Sequence, residues 1–176
     1  QVAKGQMTLV ETVEDVTALE FGADEPLAFL TQTTLSVDDT AEIVQALKTK
    51  FPHIVGPKAE DICYATSNRQ DAVKAIAPEC QLVLVIGAPN SSNSMRLVEV
   101  AERAGAQARL IQRASEIRPD WLNGVETLGI TAGASAPEAL VREVIDALSE
   151  LREVTKHETV TAREKMVFKL PRQLVD

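Results

Sequence analysis

Short apolar runs alternate along this chain with stretches whose apolar positions recur every three or four residues. Continuous runs bounded by turn residues predict buried strands, and the three-to-four period predicts helices with one face inward. The clearest strand is Leu82–Ile86, apolar throughout and flanked by turn residues. Further strands are predicted over 27–30, 108–111, 127–131 and, late in the chain, 166–170, with a short candidate at 62–64 and a short apolar run at 7–10. Helices are expected after Thr12-x-x-Asp15, after Ser36-x-x-Asp39 through Ala41, Ile43, Val44 and Leu47, and over 95–104 with Leu97, Val98, Val100 and Ala101 inward. Ser67-x-x-Gln70 reads as a capping box before Ala72, Val73 and Ile76. Ser135-x-x-Glu138 reads as the cap of a helix carrying Leu140, Val141, Val144, Ile145 and Leu148. Phe51-Pro52 ends the second helix, because the residue before proline disfavours helical backbone.

The pattern is therefore α/β: repeated β-α units, each with a small parallel sheet. Two units are expected, with a boundary in 51–60, where two prolines, Gly56 and several charges fall together. The first unit is short by a strand or more, and 150–165 is a charged linker. The sequence opens on Gln1 without an initiator methionine, as expected of the interior of a longer protein.

Composition narrows the class of partner. Aromatics are only 3%, so Leu, Val, Ile and Ala must build the core. A net charge of -8 with no basic, aromatic-lined patch argues against a nucleic-acid partner. No apolar run approaches the roughly 18 residues of a membrane span. Two cysteines in 176 residues make no disulfide framework, and the acidic composition fits a reducing cytoplasm.

The candidate chemistry lies in four polar turns, each where a strand should hand over to a helix. They are Thr31-Gln32-Thr33-Thr34, Cys63-Tyr64-Ala65-Thr66-Ser67-Asn68, Asn90-Ser91-Ser92-Asn93-Ser94 and Thr131-Ala132-Gly133-Ala134-Ser135. Any one is explained by capping, which stabilises by roughly 0.5–2 kcal/mol. Five small polar residues in a row over 90–94 exceed what a cap needs, and such turns gather at one sheet edge, where α/β sheets bind ligands. No P-loop lysine and no Gly-x-Gly-x-x-Gly is present, so neutral hydroxyls and backbone N–H groups would hold the anion, a phosphate or diphosphate. Cys63, before a helix start, is placed where the helix dipole favours a thiolate; a structural thiol is the equal alternative. Cys80 reads as structural, and His53 and His157 as solvated. A non-catalytic α/β domain for a phosphorylated metabolite satisfies these observations as well as an enzyme does.

Taken as strings, the turns resemble one family. Thr31-Gln32-Thr33-Thr34-Leu35-Ser36-Val37-Asp38-Asp39-Thr40, Asp61-Ile62-Cys63-Tyr64-Ala65-Thr66-Ser67-Asn68-Arg69-Gln70, Asn90-Ser91-Ser92-Asn93-Ser94-x-Arg96-Leu97 and Gly129-Ile130-Thr131-Ala132-Gly133-Ala134-Ser135-Ala136-Pro137 follow, in order, the pattern of 4-hydroxy-3-methylbut-2-enyl diphosphate reductase. That is the iron–sulfur enzyme of the last step of the methylerythritol phosphate pathway of isoprenoid biosynthesis.

The resemblance implies a three-part pseudo-symmetric α/β fold around a central [4Fe–4S] cluster. It implies that residues 1–58 are an incomplete second part, 59–149 the third, and 150–176 a linker and tail strand. Cys63 matches the third cluster cysteine. Thr33 matches a threonine of the substrate pocket, where the family's catalysis occurs, with Thr34 beside it. Ser91, Ser92, Asn93 and Ser135 match the residues that grip the diphosphate. Ferredoxin or flavodoxin is the implied electron donor. Two family cysteines and a glutamate in a His-Pro-Glu-Val-Glu-like string have no counterpart here, as if the chain were the C-terminal half to two-thirds of the enzyme.

Overall fold

The computed structural model describes residues 7–22, 25–32, 34–57 and 62–162. Its centre is a three-stranded parallel sheet of order β2-β1-β3, formed by Leu82–Ile86 (β1), Gln107–Ile111 (β2) and Leu128–Ala132 (β3). Leu82 lies opposite Gln107 on one side and Leu128 on the other. With neighbours on both edges and helices on both faces, β1 has no solvated side, which is why all five of its residues are apolar and buried.

Alternate side chains of β1 serve opposite faces. Val83 and Val85 pack with Val73 and Ala77, and with Leu97, Val100 and Ala101. These belong to helix α3 (Tyr64–Ile76), the 3-10 turn after it, and helix α4 (Ser92–Arg103). Leu82, Leu84 and Ile86 pack with Leu122 and with Val144 and Leu148 of helix α5 (Glu138–Leu151). The helices that follow the adjacent strands β1 and β3 thus lie on opposite faces. Such a switch opens a crevice outside the carboxyl ends of those two strands.

Helix α4 stops at Gly105, whose φ of 97° suits a residue without Cβ, and the Ala106 N–H returns to the Ala101 carbonyl at 3.2 Å. The chain then enters β2. No helix among the described residues is long and apolar enough to cross a membrane.

The residues before α3 form a smaller layer. Helix α1 (Val13–Ala18) starts with the predicted Thr12/Asp15 capping box, and helix α2 (Val37–Lys50) with the predicted Ser36 cap. Val16 and Leu47 are its buried apolar residues, and the Ser36 cap is buried with them. Lys50 Nζ closes the end of α1 by donating to the Val16 and Thr17 carbonyls at 3.1 and 2.6 Å. The layer is tied to the sheet unit by charge: Asp38 pairs with Lys74 of α3, and Asp39 with Arg103 and Arg96 of α4. The Arg103 guanidinium, hydrogen-bonded to it, holds the Asp39 carboxyl below the usual aspartate value.

Several expectations are corrected. The segment 27–30 makes no strand, only a parallel bridge between Ala28 and Val55. Residues 7–10 form no element, and Met7 and Leu9 are exposed. The candidate strand 62–64 is absent, because α3 already begins at Tyr64. Each lacks a neighbouring ladder among the described residues, and a strand without one leaves its backbone groups unpaired. The candidate strand over 166–170 lies outside the described residues.

Candidate functional site

Three of the four polar turns meet at the crevice. Ser91 is the N-cap of α4, and its Oγ accepts the Ser94 N–H at 3.3 Å and the Ser94 hydroxyl at 3.1 Å. Both lone pairs are then used, so the Ser91 hydroxyl proton is the part left to offer a ligand. The Ser92 and Asn93 N–H groups, first in the helix, have no acceptor within it. Ser92 is exposed at the mouth.

Asn93 is buried and joins three elements. Its Oδ1 accepts the Ala134 N–H at 2.9 Å, pulling in the β3–α5 turn that carries Ser135. Its Nδ2 reaches Thr66 Oγ1 of α3 at 3.5 Å. The same turn is braced by Arg69 of α3, whose Nε donates to the Ala132 carbonyl at 3.2 Å. Arg96 is occupied by Glu99 and Asp39. The charge of the ligand would therefore meet mainly hydroxyls and N–H groups rather than a free cation.

Ser94 fixes the strand ends. It is 1% exposed, and a Cβ on Gly133 would stand 2.2 Å from its Oγ. A Cβ on Gly87 would stand 2.1 Å from the same Oγ and 2.6 Å from the Ser94 Cβ. Either alanine substitution should cost about 1–3 kcal/mol by overpacking. Ser94→Ala should rescue Gly133→Ala, whose new methyl would then sit at an ordinary 3.5 Å from the remaining Cβ. It should not rescue Gly87→Ala. Thermal unfolding of the two double variants checks the cradle.

Cys63 is the N-cap of α3 and is exposed. Its side chain makes no capping bond, while its carbonyl accepts the Thr66 and Ser67 N–H groups at 2.7 and 3.1 Å. One turn of helix separates this thiol from Thr66 and thus from Asn93. Cys80 differs: it packs beside Gly129 and the sheet core, and burial, then the nearby Glu79, pushes its thiol upward. No group of three or more His, Cys, Asp or Glu among the described residues is placed to hold a metal ion.

The fourth turn stands across from the start of α4: Gln32, Thr34 and Leu35 line a cleft of about 380 Å³ with Asn90, Ser92, Met95 and Arg96 and the carboxylates Glu11 and Glu99, whereas Cys63, Ser91, Asn93 and Ser135 are not part of its lining. Thr33 lies outside the described residues. Two capping expectations fail here. Ser67 lies inside α3, its hydroxyl directed to the Cys63 carbonyl at 3.5 Å. Ser135 caps nothing, since α5 starts after Pro137 without a side-chain cap. Both serines mimic the spacing of a cap, but α3 begins three residues before Ser67 and α5 three after Ser135. Thr66, Arg69, Gln70 and Ser94 were missed as structural members of the site, because their partners lie far away in sequence or on strand ends.

The fold is a parallel α/β unit whose switch point gathers hydroxyls and helix N–H groups, the groups that can hydrogen-bond an anion. The chain matches the family described as LytB protein over residues 1–149 and belongs to that family. It is 58% identical, over 99% of its length, to the 4-hydroxy-3-methylbut-2-enyl diphosphate reductase of Phenylobacterium zucineum, of which it covers 55%. It is 59% identical, again over 99% of its length, to that of Hyphomonas neptunium, of which it covers 56%. The solved E-1-hydroxy-2-methyl-but-2-enyl-4-diphosphate reductase of Plasmodium falciparum matches 93% of this chain with a TM-score of 0.79 and 36% identity, across 52% of its own chain. The chain thus spans about half the length of the relatives it matches.

Proposed function

We propose that this chain forms the C-terminal half of a reductase that converts 4-hydroxy-3-methylbut-2-enyl diphosphate to isopentenyl and dimethylallyl diphosphate in the cytoplasm. The observation that carries this reading is Asn93. It draws the 90–94 turn, the Ala134–Ser135 turn and the Cys63 helix to one sheet edge in a chain whose relatives bear that reductase name. Residues up to 58 belong to a second α/β part, 59–149 to a third, and 150–176 to a linker and tail.

Each residue has a separable task. Ser91, Ser92, Asn93 and Ser135 hold the diphosphate through hydroxyl, amide and backbone N–H donors, which strengthen when the acceptor is charged. Thr33 and Thr34 bind the remainder of the substrate near its hydroxyl. Arg69 keeps the β3 end in register with α3.

Cys63 fits one corner of a [4Fe–4S] cluster: it is exposed, at a helix start, and its thiol is not spent on capping. A cluster needs three or four such ligands, so the others come from the N-terminal half. When bound, the cluster supplies electrons, ultimately from ferredoxin or flavodoxin, and a Lewis-acidic iron.

Purified by itself and reconstituted anaerobically with iron and sulfide, this chain is expected to give no reductase turnover, whereas the protein at its relatives' length turns over. Stoichiometric four-iron incorporation with turnover by the monomeric chain would refute the assignment of the missing ligands.

A further inference from the structure

Gln70 is a fully buried polar side chain that ties α3 to the Leu35 side of the cleft. It lies on α3, seven residues after Cys63, and is 0% exposed. Its Nε2 donates to the Leu35 carbonyl at 2.9 Å, and its Oε1 accepts the Val37 N–H at 3.1 Å. Leu35 ends the polar turn that forms one wall of the cleft, and Val37 is the first residue of α2. Within its own turn the Leu35 N–H donates to the Gln32 carbonyl over a long 3.3 Å.

The two partners ask for opposite chemistry. The Val37 N–H is one of the donors a helix start leaves unpaired, and the Leu35 carbonyl is an acceptor. One side chain can satisfy both only if it carries a donor and an acceptor on neighbouring atoms, which a primary amide does. A methionine of the same length would leave both groups unpaired. The surface pair Lys74–Asp38 crosses the same boundary but is substantially exposed, and a pair of that kind is a weak constraint.

We infer that Gln70 is a positioning residue: it fixes Leu35 and the start of α2, and with them Thr34 of the cleft lining, at a set distance from α3 and the diphosphate turns. The inference rests on the proposed function for what these residues bind. It requires that loss of Gln70 disturb the part of the ligand held by Thr34 and spare the part held by Ser91, Ser92 and Asn93.

The test uses the full-length protein with Gln70→Met, Gln70→Asn as a milder variant, and Lys74→Met as a control. Amide hydrogen exchange reads the clamp directly. The Val37 amide should exchange much faster in Gln70→Met, with α4 amides unchanged, and Lys74→Met should alter neither. Binding and turnover read its consequence. kcat/KM should fall about ten- to a hundred-fold, as expected for a wall misplaced by an ångström, while the dissociation constant for inorganic diphosphate stays within about twofold. If Gln70→Met fails to fold, the same two readouts on Gln70→Asn decide. Unchanged Val37 exchange overturns the inference whatever the activity. Equal loss of diphosphate and whole-substrate affinity also overturns it, since that is general loosening. If the wild-type protein binds no diphosphate and turns nothing over, the functional reading fails, and the exchange result still decides the clamp.

Discussion

In the full-length protein, Cys63→Ser is expected to remove most of the bound iron and nearly all reductase activity without destabilising the fold. The two effects separate because of where Cys63 sits. It is the N-cap of α3, its thiol is exposed, and it makes no side-chain bond there. Serine is among the best N-cap residues, so a hydroxyl in its place should leave α3 as stable as before or add about 0.5–1 kcal/mol. A structural thiol would give the reverse pattern, with unchanged iron and lower stability. Cys80→Ser is the contrast. Cys80 is half-buried against the sheet core, so a hydroxyl there should cost on the order of 1 kcal/mol while iron and activity persist. Iron and sulfide analysis after anaerobic purification, alongside thermal unfolding, reads both variants.

Asn93→Ala should weaken diphosphate binding by about ten- to a hundred-fold, through loss of charge-assisted bonds worth roughly 1.5–3 kcal/mol each. It should also lower stability, because Asn93 is buried and the Ala134 N–H would lose its acceptor. Leaving such a donor unpaired costs about 1–3 kcal/mol. Ser135→Ala separates the two contributions. Ser135 is exposed and caps no helix, so its loss should weaken diphosphate binding with melting temperature unchanged. Calorimetric titration with inorganic diphosphate, and with the substrate alcohol lacking the diphosphate, checks both. Equal weakening of the two ligands would mean that these turns shape the protein rather than grip the anion.

What could be read from the sequence was what local chemistry dictates. β1 was legible because a strand covered on both faces is apolar at every position, and the Thr12 and Ser36 caps because their partners lie three residues on. The 90–94 and 131–135 turns could be gathered at one edge because parallel β-α units place such turns at the carboxyl ends of strands, here β1 and β3, whereas the 31–34 and 63–68 turns follow no strand among the described residues. Non-local bonds were hidden. Gln70 looked like the second half of a capping box with Ser67, yet its amide is spent on Leu35 and Val37, more than thirty residues away. Ser94 looked like one more small polar residue in a loop, and only the approach of Gly87 and Gly133 reveals it as the post on which two strand ends rest. The segments 7–10 and 27–30 had the apolar character of strands, but strand formation needs a neighbour, and sequence character does not supply one.

The central claim is that this hydroxyl-lined edge and Cys63 serve reductive loss of a hydroxyl from an allylic diphosphate. The most direct measurement is product analysis after incubating the anaerobically reconstituted full-length protein with 4-hydroxy-3-methylbut-2-enyl diphosphate and a strong one-electron reductant. The account predicts isopentenyl and dimethylallyl diphosphate from the wild-type protein and essentially none from Cys63→Ser. Tight diphosphate binding with no conversion by an iron-loaded wild-type protein would contradict it, and would leave a binding domain in place of an enzyme.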